Sequence, residues 1–338
     1  MKRNAIIVTG SAGFIGFNVS LELLKEGHTV VGIDNFNSYY LPAIKEARSG
    51  ILHKYPNFIE KRIDISNLDE LRKVFCEFRT PVVCHLAAQA GVRYSLTNPY
   101  AYEQSNVAAF LNILEMVRHN EIPRLVYASS SSVYGGNTKV PFSESDRVDN
   151  PISLYAATKK ANELMAHCYS HLYGFQTIGH RFFTVYGPWG RPDMAMWLFV
   201  EAIKSGKKIK VFNHGNMKRD FTFIDDIVQG VCSSMFAENL DKCEIFNLGN
   251  NRSEKLLDMI EIIENELGIK AEKEMLPMQP GDVPESFADI DKARLKLGFE
   301  PKTPIHEGIP AFISWYDKYS DLASLVAKSK RGWATLTA

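Results

Sequence analysis

Apolar and polar positions alternate in blocks along the first half of the chain. Ala5-Ile6-Ile7-Val8 is a short apolar run, bounded by Thr9-Gly10, and reads as a buried strand. Val19, Leu21, Leu23 and Leu24 then recur among polar residues up to Gly27, the pattern of a helix stopped by glycine. Thr29-Val30-Val31-Gly32-Ile33 is a second strand and ends in Asp34. The same reading predicts strands over 58–63, 81–86, 124–128 and 177–181, separated by helices over 67–78, 100–119 and 153–173. Strands alternating with helices imply a parallel sheet covered on both faces, an α/β fold.

Past residue 187 the texture changes. Pro188, Gly190, Pro192, Gly206, Gly215, Pro277, Pro280, Gly281 and Pro284 cut the chain into shorter elements, with helices expected over 194–205 and 254–267. This divides the chain into a unit over 1–187, a smaller C-terminal lobe over 188–320 and a peripheral tail over 321–338. The stretch 221–231 is read as chain returning to the main sheet.

Composition narrows the classes. The chain has 338 residues, 45% of them hydrophobic, with 39 basic residues against 39 acidic. With no net charge there is no global field to recruit nucleic acid or an anionic membrane. No apolar run reaches the roughly 18 residues of a membrane span, and the apolar run before Gly10 is too short for a signal-peptide core. Cys76, Cys84, Cys168, Cys232 and Cys243 are scattered, an odd number without ligand spacing, and read as thiols of a reducing cytoplasm. The nine histidines form no ligand motif, so no metal is expected.

Candidate chemistry begins at the first strand-to-helix turn. Gly10, Gly13 and Gly16 follow a strand and open a helix, so backbone N–H groups and the helix N-terminus can face a pyrophosphate. Phe14 and Ile15 lie within that turn. Asp34, closing the second strand, is placed to bond the ribose hydroxyls of an adenosine and would repel a 2′-phosphate, which favours NAD over NADP. Asp64 and Ile65 after the third strand are candidates for the adenine edge. Leu86-Ala87-Ala88 ends the fourth strand in small residues that let a cofactor approach the backbone. Together these predict a parallel sheet that binds a dinucleotide, NAD rather than NADP.

Tyr155 and Lys159 are four apart on a predicted helix and therefore share a face. A neighbouring ammonium favours a phenolate, which makes the tyrosine a proton carrier for an alcohol. Upstream, Ser129-Ser130-Ser131-Ser132 offers hydroxyls to the same alcohol oxygen.

With glycine loop, Asp34, serine run and Tyr155/Lys159 in this order, the chain resembles the extended short-chain dehydrogenase/reductases from residue 4 to about 318. The resemblance implies a doubly wound (Rossmann) NAD unit followed by a nucleotide-sugar lobe. It makes Ser130 the holder of the substrate oxygen, Tyr155 the acid/base, and Lys159 the residue that binds nicotinamide ribose and lowers the tyrosine pKa. Asn106 matches an asparagine that supports this region. Dehydratases of the family carry Thr-Asp-Glu before Val-Tyr-Gly, and related uronate decarboxylases have Glu in the last of those places. Here Ser130, Ser131 and Ser132 stand there, which argues against elimination.

The stretches 89–95, 153–163 and 181–194 resemble the UDP-glucuronate 4-epimerases within that family. His180, where those enzymes are expected to have leucine, reads as a hydrogen-bonded core histidine. The resemblance implies an isomerase in which C4 of the sugar is oxidised to a ketone, the sugar turns, and C4 is reduced from its other face with NAD kept bound. Arg93 is expected at the substrate, Arg191 and Arg219 at its diphosphate or carboxylate, Asp282 at the uridine ribose, and Thr184, Ser131 and Ser132 at the carboxylate. A homodimer through the helices over 100–119 and 153–173 is implied, and polysaccharide biosynthesis is the setting suggested by analogy. A 4-epimerase of UDP-glucose or UDP-N-acetylglucosamine, a reductase consuming cofactor, and a non-catalytic NAD-binding regulator are the competing readings.

Overall fold

The computed structural model describes residues 3–279, 281–319, 321 and 322. The expected tail lies almost wholly outside the described residues, as does Pro280.

Seven parallel strands form the main sheet. In chain order they are β1 (Ile6–Thr9), β2 (Val30–Asp34), β3 (Phe58–Arg62), β4 (Val82–His85), β5 (Arg124–Ser130), β6 (Gln176–Phe182) and β7 (Cys243–Leu248). Their spatial order is 3-2-1-4-5-6-7. Strand side chains alternate between faces, so Ile6 and Val8 point into one apolar layer and Ala5 and Ile7 into the other. The first layer contains Phe17, Leu23 and Leu24 of the helix Phe14–Lys25, Ile44 of Pro42–Leu52 and Ile227 of Ile224–Phe236. The second contains Val74 and Phe75 of Leu68–Glu77, Ile113 of the helix over 99–119 and Ala166 of Leu154–Tyr173. Both faces are dry, hence the uninterrupted apolar runs of the inner strands.

The return to the sheet differs from expectation. Residues 221–231 do not join it: Phe221–Phe223 is a short strand pairing with Thr184–Tyr186 outside the main sheet, and Ile224–Phe236 is a helix. Its Ile224, Ile227, Val228, Val231 and Met235 are buried, a 3.6-residue period that outweighs the β-branched character of the stretch. The seventh strand is Cys243–Leu248, which pairs with β6 along its whole length. The helix over 99–119 is also irregular, passing from Pro99–Tyr102 through a π-helical segment, Glu103–Ala108, into Ala109–His119.

The elements after residue 187 pack around an aromatic cluster of Trp189, Trp197, Phe312, Trp315 and Tyr316. Buried Asp220 organises this part. Its carboxylate accepts the main-chain N–H groups of Asn250 (2.6 Å), Asn251 (3.1 Å) and Ala288 (3.1 Å), and the Thr222 hydroxyl at 2.8 Å. His180 is a core histidine. It is fully buried, its Nε2 lies 2.8 Å from the Ser234 hydroxyl, and burial pushes its pKa down to about 3, so it is neutral.

Candidate active site

Strand order reverses between β1 and β4, and the loops leaving them diverge, which opens a crevice at the carboxyl ends of the strands. A cleft of about 520 Å³ lies there. Along it lie Gly10, Gly13, Phe14, Ile15, Gly16, Asp34, Asp64, Ile65, Leu86, Ala87 and Ala88. The same cleft is lined by Ser130, Ser131, Ser132, Tyr155, Lys159, Thr184, Arg191, Arg219 and Asp282. Residues as far apart in sequence as Gly10 and Ser286 thus share one space.

The glycine turn can be glycine only. Gly10 has φ +73°, and a Cβ there would stand 2.7 Å from the Ala87 nitrogen. A Cβ on Gly16 would stand 2.0 Å from the Gly10 carbonyl oxygen. The helix opens at Gly13 with no side-chain cap, so its first N–H groups remain for an anion. Asp34 accepts the main-chain N–H groups of Ala12 (3.1 Å) and Phe36 (2.8 Å), with the buried Lys45 ammonium 3.8 Å away. Burial lowers the Lys45 pKa, against the pull of Asp34. Burial alone would raise the Asp64 carboxyl, but hydrogen bonds from Ser66 and Asn35 outweigh it and hold the pKa below its ordinary value. An uncapped glycine helix with a carboxylate at the end of the next strand is a donor set that fits NAD.

At the other end, the helix Leu154–Tyr173 starts at Ser153, whose hydroxyl accepts the Ala156 N–H at 3.1 Å. That cap sets the register that turns Tyr155 and Lys159 into the cleft. Ser130 accepts the Ser132 N–H at 3.2 Å and donates to the Ser132 hydroxyl at 3.1 Å. Burial raises the Tyr155 pKa, and what pulls it back is a hydrogen bond with Ser130 and the charge of Arg191. The Lys159 ammonium instead donates to the Ala128 carbonyl at 2.9 Å. Burial lowers its pKa to about 8. Behind it His85, pushed down to about 3 by burial and then by Lys159, is neutral and 2.7 Å from the Thr9 hydroxyl.

Two expected residues do not line the cleft. Asn106, in the π-helical segment, accepts the Gln89 N–H at 2.8 Å and donates to the Gln89 carbonyl at 3.0 Å and the Thr158 hydroxyl at 3.1 Å. Its carbonyl accepts the Asn162 amide at 2.6 Å, so its groups are spent within the protein. Arg93 lies over the Phe212 ring (5.1 Å) and 3.7 Å from Asp282. The two arginines of the cleft differ. Arg191 is paired with Asp193, whereas Arg219 has no ion pair within 4 Å among the described residues and donates to the carbonyls of Lys218 and Pro284. Residues missed in the sequence include Tyr39, Lys45 and Gln89, which also line the cleft. Tyr39 sits in Asn35-Phe36-Asn37-Ser38-Tyr39-Tyr40, a polar and aromatic stretch after Asp34 that was itself a signal.

A doubly wound sheet with a glycine turn, a strand-end carboxylate and a Tyr/Lys pair beside serine hydroxyls defines an NAD-dependent enzyme that acts on an alcohol. The profile of the NAD dependent epimerase/dehydratase family matches residues 6–249, and the chain belongs to that family. It is 47% identical over 330 residues to UDP-glucuronate 4-epimerase 4 of Arabidopsis thaliana, covering 93% of this chain and 75% of that protein. Its structure matches UDP-glucuronic acid 4-epimerase from Bacillus cereus, solved with UDP-glucuronic acid and NAD, with a TM-score of 0.88, 33% identity and coverage of 93% and 99%. UDP-glucose 4-epimerase of Thermotoga maritima, solved with UDP-glucose, matches with a TM-score of 0.84, 29% identity and the same coverage. The chain is an NAD-dependent epimerase.

Proposed function

We propose that the chain interconverts UDP-glucuronate and UDP-galacturonate by inverting C4. The observation that carries this reading is that Tyr155, Ser130, Ser131, Ser132, Thr184 and Arg191 line the same cleft as the glycine turn, and residues 130–132 supply no carboxylate. Bound NAD supplies the acceptor and donor of the C4 hydrogen. Ser130 and Ser132 hold the 4-oxygen, and Tyr155 removes its proton and later returns it. Lys159 carries positive charge beside the cofactor's ribose. Arg219, with no ion pair within 4 Å among the described residues, takes the diphosphate, since a guanidinium fork matches its oxygens. Asp282 takes the uridine ribose.

In this division the seven-stranded sheet carries the cofactor, and the elements after residue 187, apart from Ile224–Phe236 and Cys243–Leu248, carry the nucleotide sugar. The five cysteines are free thiols, which suits a reducing cytoplasm. Among the described residues no helix is long and apolar enough to cross a membrane.

Purified protein incubated with UDP-glucuronate and no added NAD should yield UDP-galacturonate without net NADH. Much more efficient epimerisation of UDP-glucose would overturn the assignment.

A uronate brings a hazard, because its 4-keto form is a β-keto acid and can lose CO2. In this reading Thr184, Ser131, Ser132 and Arg191 hold the C5–carboxylate bond away from the perpendicular to the ketone plane, the geometry that permits loss. Arg191→Lys and Thr184→Val should then raise the ratio of pentose product to epimer. An unchanged ratio in both removes this role.

A homodimer is part of the same proposal. Leu111, Leu164 and Leu172, on the adjacent helices Ala109–His119 and Leu154–Tyr173, are 41%, 60% and 61% exposed. A second copy of the chain would cover such a face. Leu164→Glu should halve the mass seen by light scattering, and a wild-type protein already monomeric at micromolar concentration would refute the dimer.

A further inference from the structure

We propose that Tyr39, Asp193 and Arg191 form a latch that joins retention of the cofactor to recognition of the substrate's acid group. The segment 35–41 leaves β2 directly after Asp34, and Asn35, Asn37, Tyr39 and Tyr40 line the cleft. The Tyr39 hydroxyl donates to Asp193 Oδ2 at 3.0 Å. Asp193 in turn receives Arg191 Nε at 3.0 Å and Nη2 at 2.5 Å. A loop of the cofactor half is thereby tied to the loop that carries Arg191.

The pairing is side-on, and this decides what Arg191 can still do. A guanidinium has five N–H donors in one plane, and Asp193 takes the Nε–H and one Nη2–H. Among the described residues no other hydrogen bond is made to the end-on edge formed by Nη1 and Nη2, and Arg191 lines the cleft. Asp193 fixes the plane and aims that edge, without competing for it. Asp193 is a positioning residue, since it acts through Arg191.

Tyr39 is held from both sides. Gly91, in the loop after β4, has φ +99°, and a Cβ there would stand 2.5 Å from the Tyr39 hydroxyl. The ring also lies 5.0 Å from Tyr94, Tyr94 lies 6.1 Å from Tyr102, and Tyr102 lies 6.0 Å from Tyr155. Ring contacts therefore run unbroken from the latch to the tyrosine that moves the proton. With Tyr39 seated, residues of the segment 35–41 line the cleft, and in this proposal letting the dinucleotide out requires breaking the bond to Asp193.

The part concerning the acid group rests on the proposed substrate, whereas the part concerning the cofactor does not. Wild type, Tyr39→Phe, Asp193→Asn and the double variant are to be compared for the rate of NAD loss on dialysis, and for the affinity of UDP and UDP-glucuronate. Both single variants should lose NAD about tenfold faster, the double variant no faster than either, as expected when one charge-assisted hydrogen bond is removed. Asp193→Asn should also weaken UDP-glucuronate about tenfold while UDP stays within about twofold. Unchanged NAD loss in Tyr39→Phe, or equal weakening of UDP and UDP-glucuronate in Asp193→Asn, would overturn the latch. Wild-type protein that binds UDP-glucose as well as UDP-glucuronate would contradict the substrate assignment, and NAD loss would then decide the latch alone.

Discussion

Tyr155→Phe should lower kcat about a thousandfold, the middle of the range for loss of a positioned acid/base, while NAD stays bound and UDP-glucuronate affinity changes little. The change removes one oxygen from a ring that is otherwise packed, at 6.0 Å from Tyr102, so the fold has no reason to shift. Ser130 keeps its bonds to Ser132. What disappears is the group that can take and return the proton of the 4-hydroxyl. Burial raises the Tyr155 pKa, Ser130 and Arg191 oppose it, and Lys159 is turned to the Ala128 carbonyl. The phenol is thus protonated in the cofactor-free protein at neutral pH, and its use as a base depends on positive charge brought beside it. Steady-state rates with cofactor content measured alongside check this. A variant with more than a tenth of wild-type kcat would show that another group carries the proton.

Glu163→Ala should destabilise the protein by about 3–5 kcal/mol, the cost of leaving a buried charge without its partner. Glu163 lies one turn beyond Lys159 on the face that holds Tyr155, and it is buried with Arg181 of β6. Arg181 reaches it with Nε at 2.8 Å and Nη2 at 2.9 Å, Ser129 donates to it at 2.7 Å, and Arg181 also meets the Tyr134 hydroxyl at 3.0 Å. The network fastens the helix of Tyr155 to the two strands behind the serine run. Burial alone would raise the Glu163 pKa, but the hydrogen bonds and charge of Arg181 win and hold it below its ordinary value. A depressed carboxyl contributes stability above its unfolded pKa and loses it as pH falls through the folded one. Acid unfolding of the wild type should therefore draw part of its steepness below about pH 4.3 from this pair, and the variant should lack that part. Denaturant melts at pH 7 and about pH 3 measure both effects. A loss under about 1 kcal/mol at pH 7 would mean that water or another base replaces Glu163.

How much of this was legible in sequence depended on how local each feature was. Gly10, Gly13, Gly16 and Asp34 belong to one strand–helix–strand unit, and Tyr155 and Lys159 to one helix, so spacing alone placed them. The seventh strand was hidden because Cys243-Glu244-Ile245-Phe246-Asn247-Leu248 carries polar side chains where a core strand should be apolar. Those side chains are satisfied by distant partners: Glu244 by Lys292 and Lys296, Asn247 by the Tyr134 hydroxyl and the carbonyls of Phe142 and Asp289. The helix Ile224–Phe236 was misplaced for the converse reason, since its β-branched residues suit a strand until their 3.6-residue burial is seen. Asn106 does not line the cleft but ties Gln89 to Thr158 and Asn162 of the Tyr155 helix, a support whose partners lie far off in sequence. The Tyr39–Asp193 contact joins two loops far apart in sequence, and no local pattern could announce it.

The central claim is that C4 gives up its hydrogen and receives the same one back on its other face. UDP-glucuronate labelled with deuterium at C4 tests it most directly, by mass and NMR analysis of the products. UDP-galacturonate should form with the deuterium retained at C4 and none released to solvent. Loss of the label to water, or its appearance in free NADH, would contradict it.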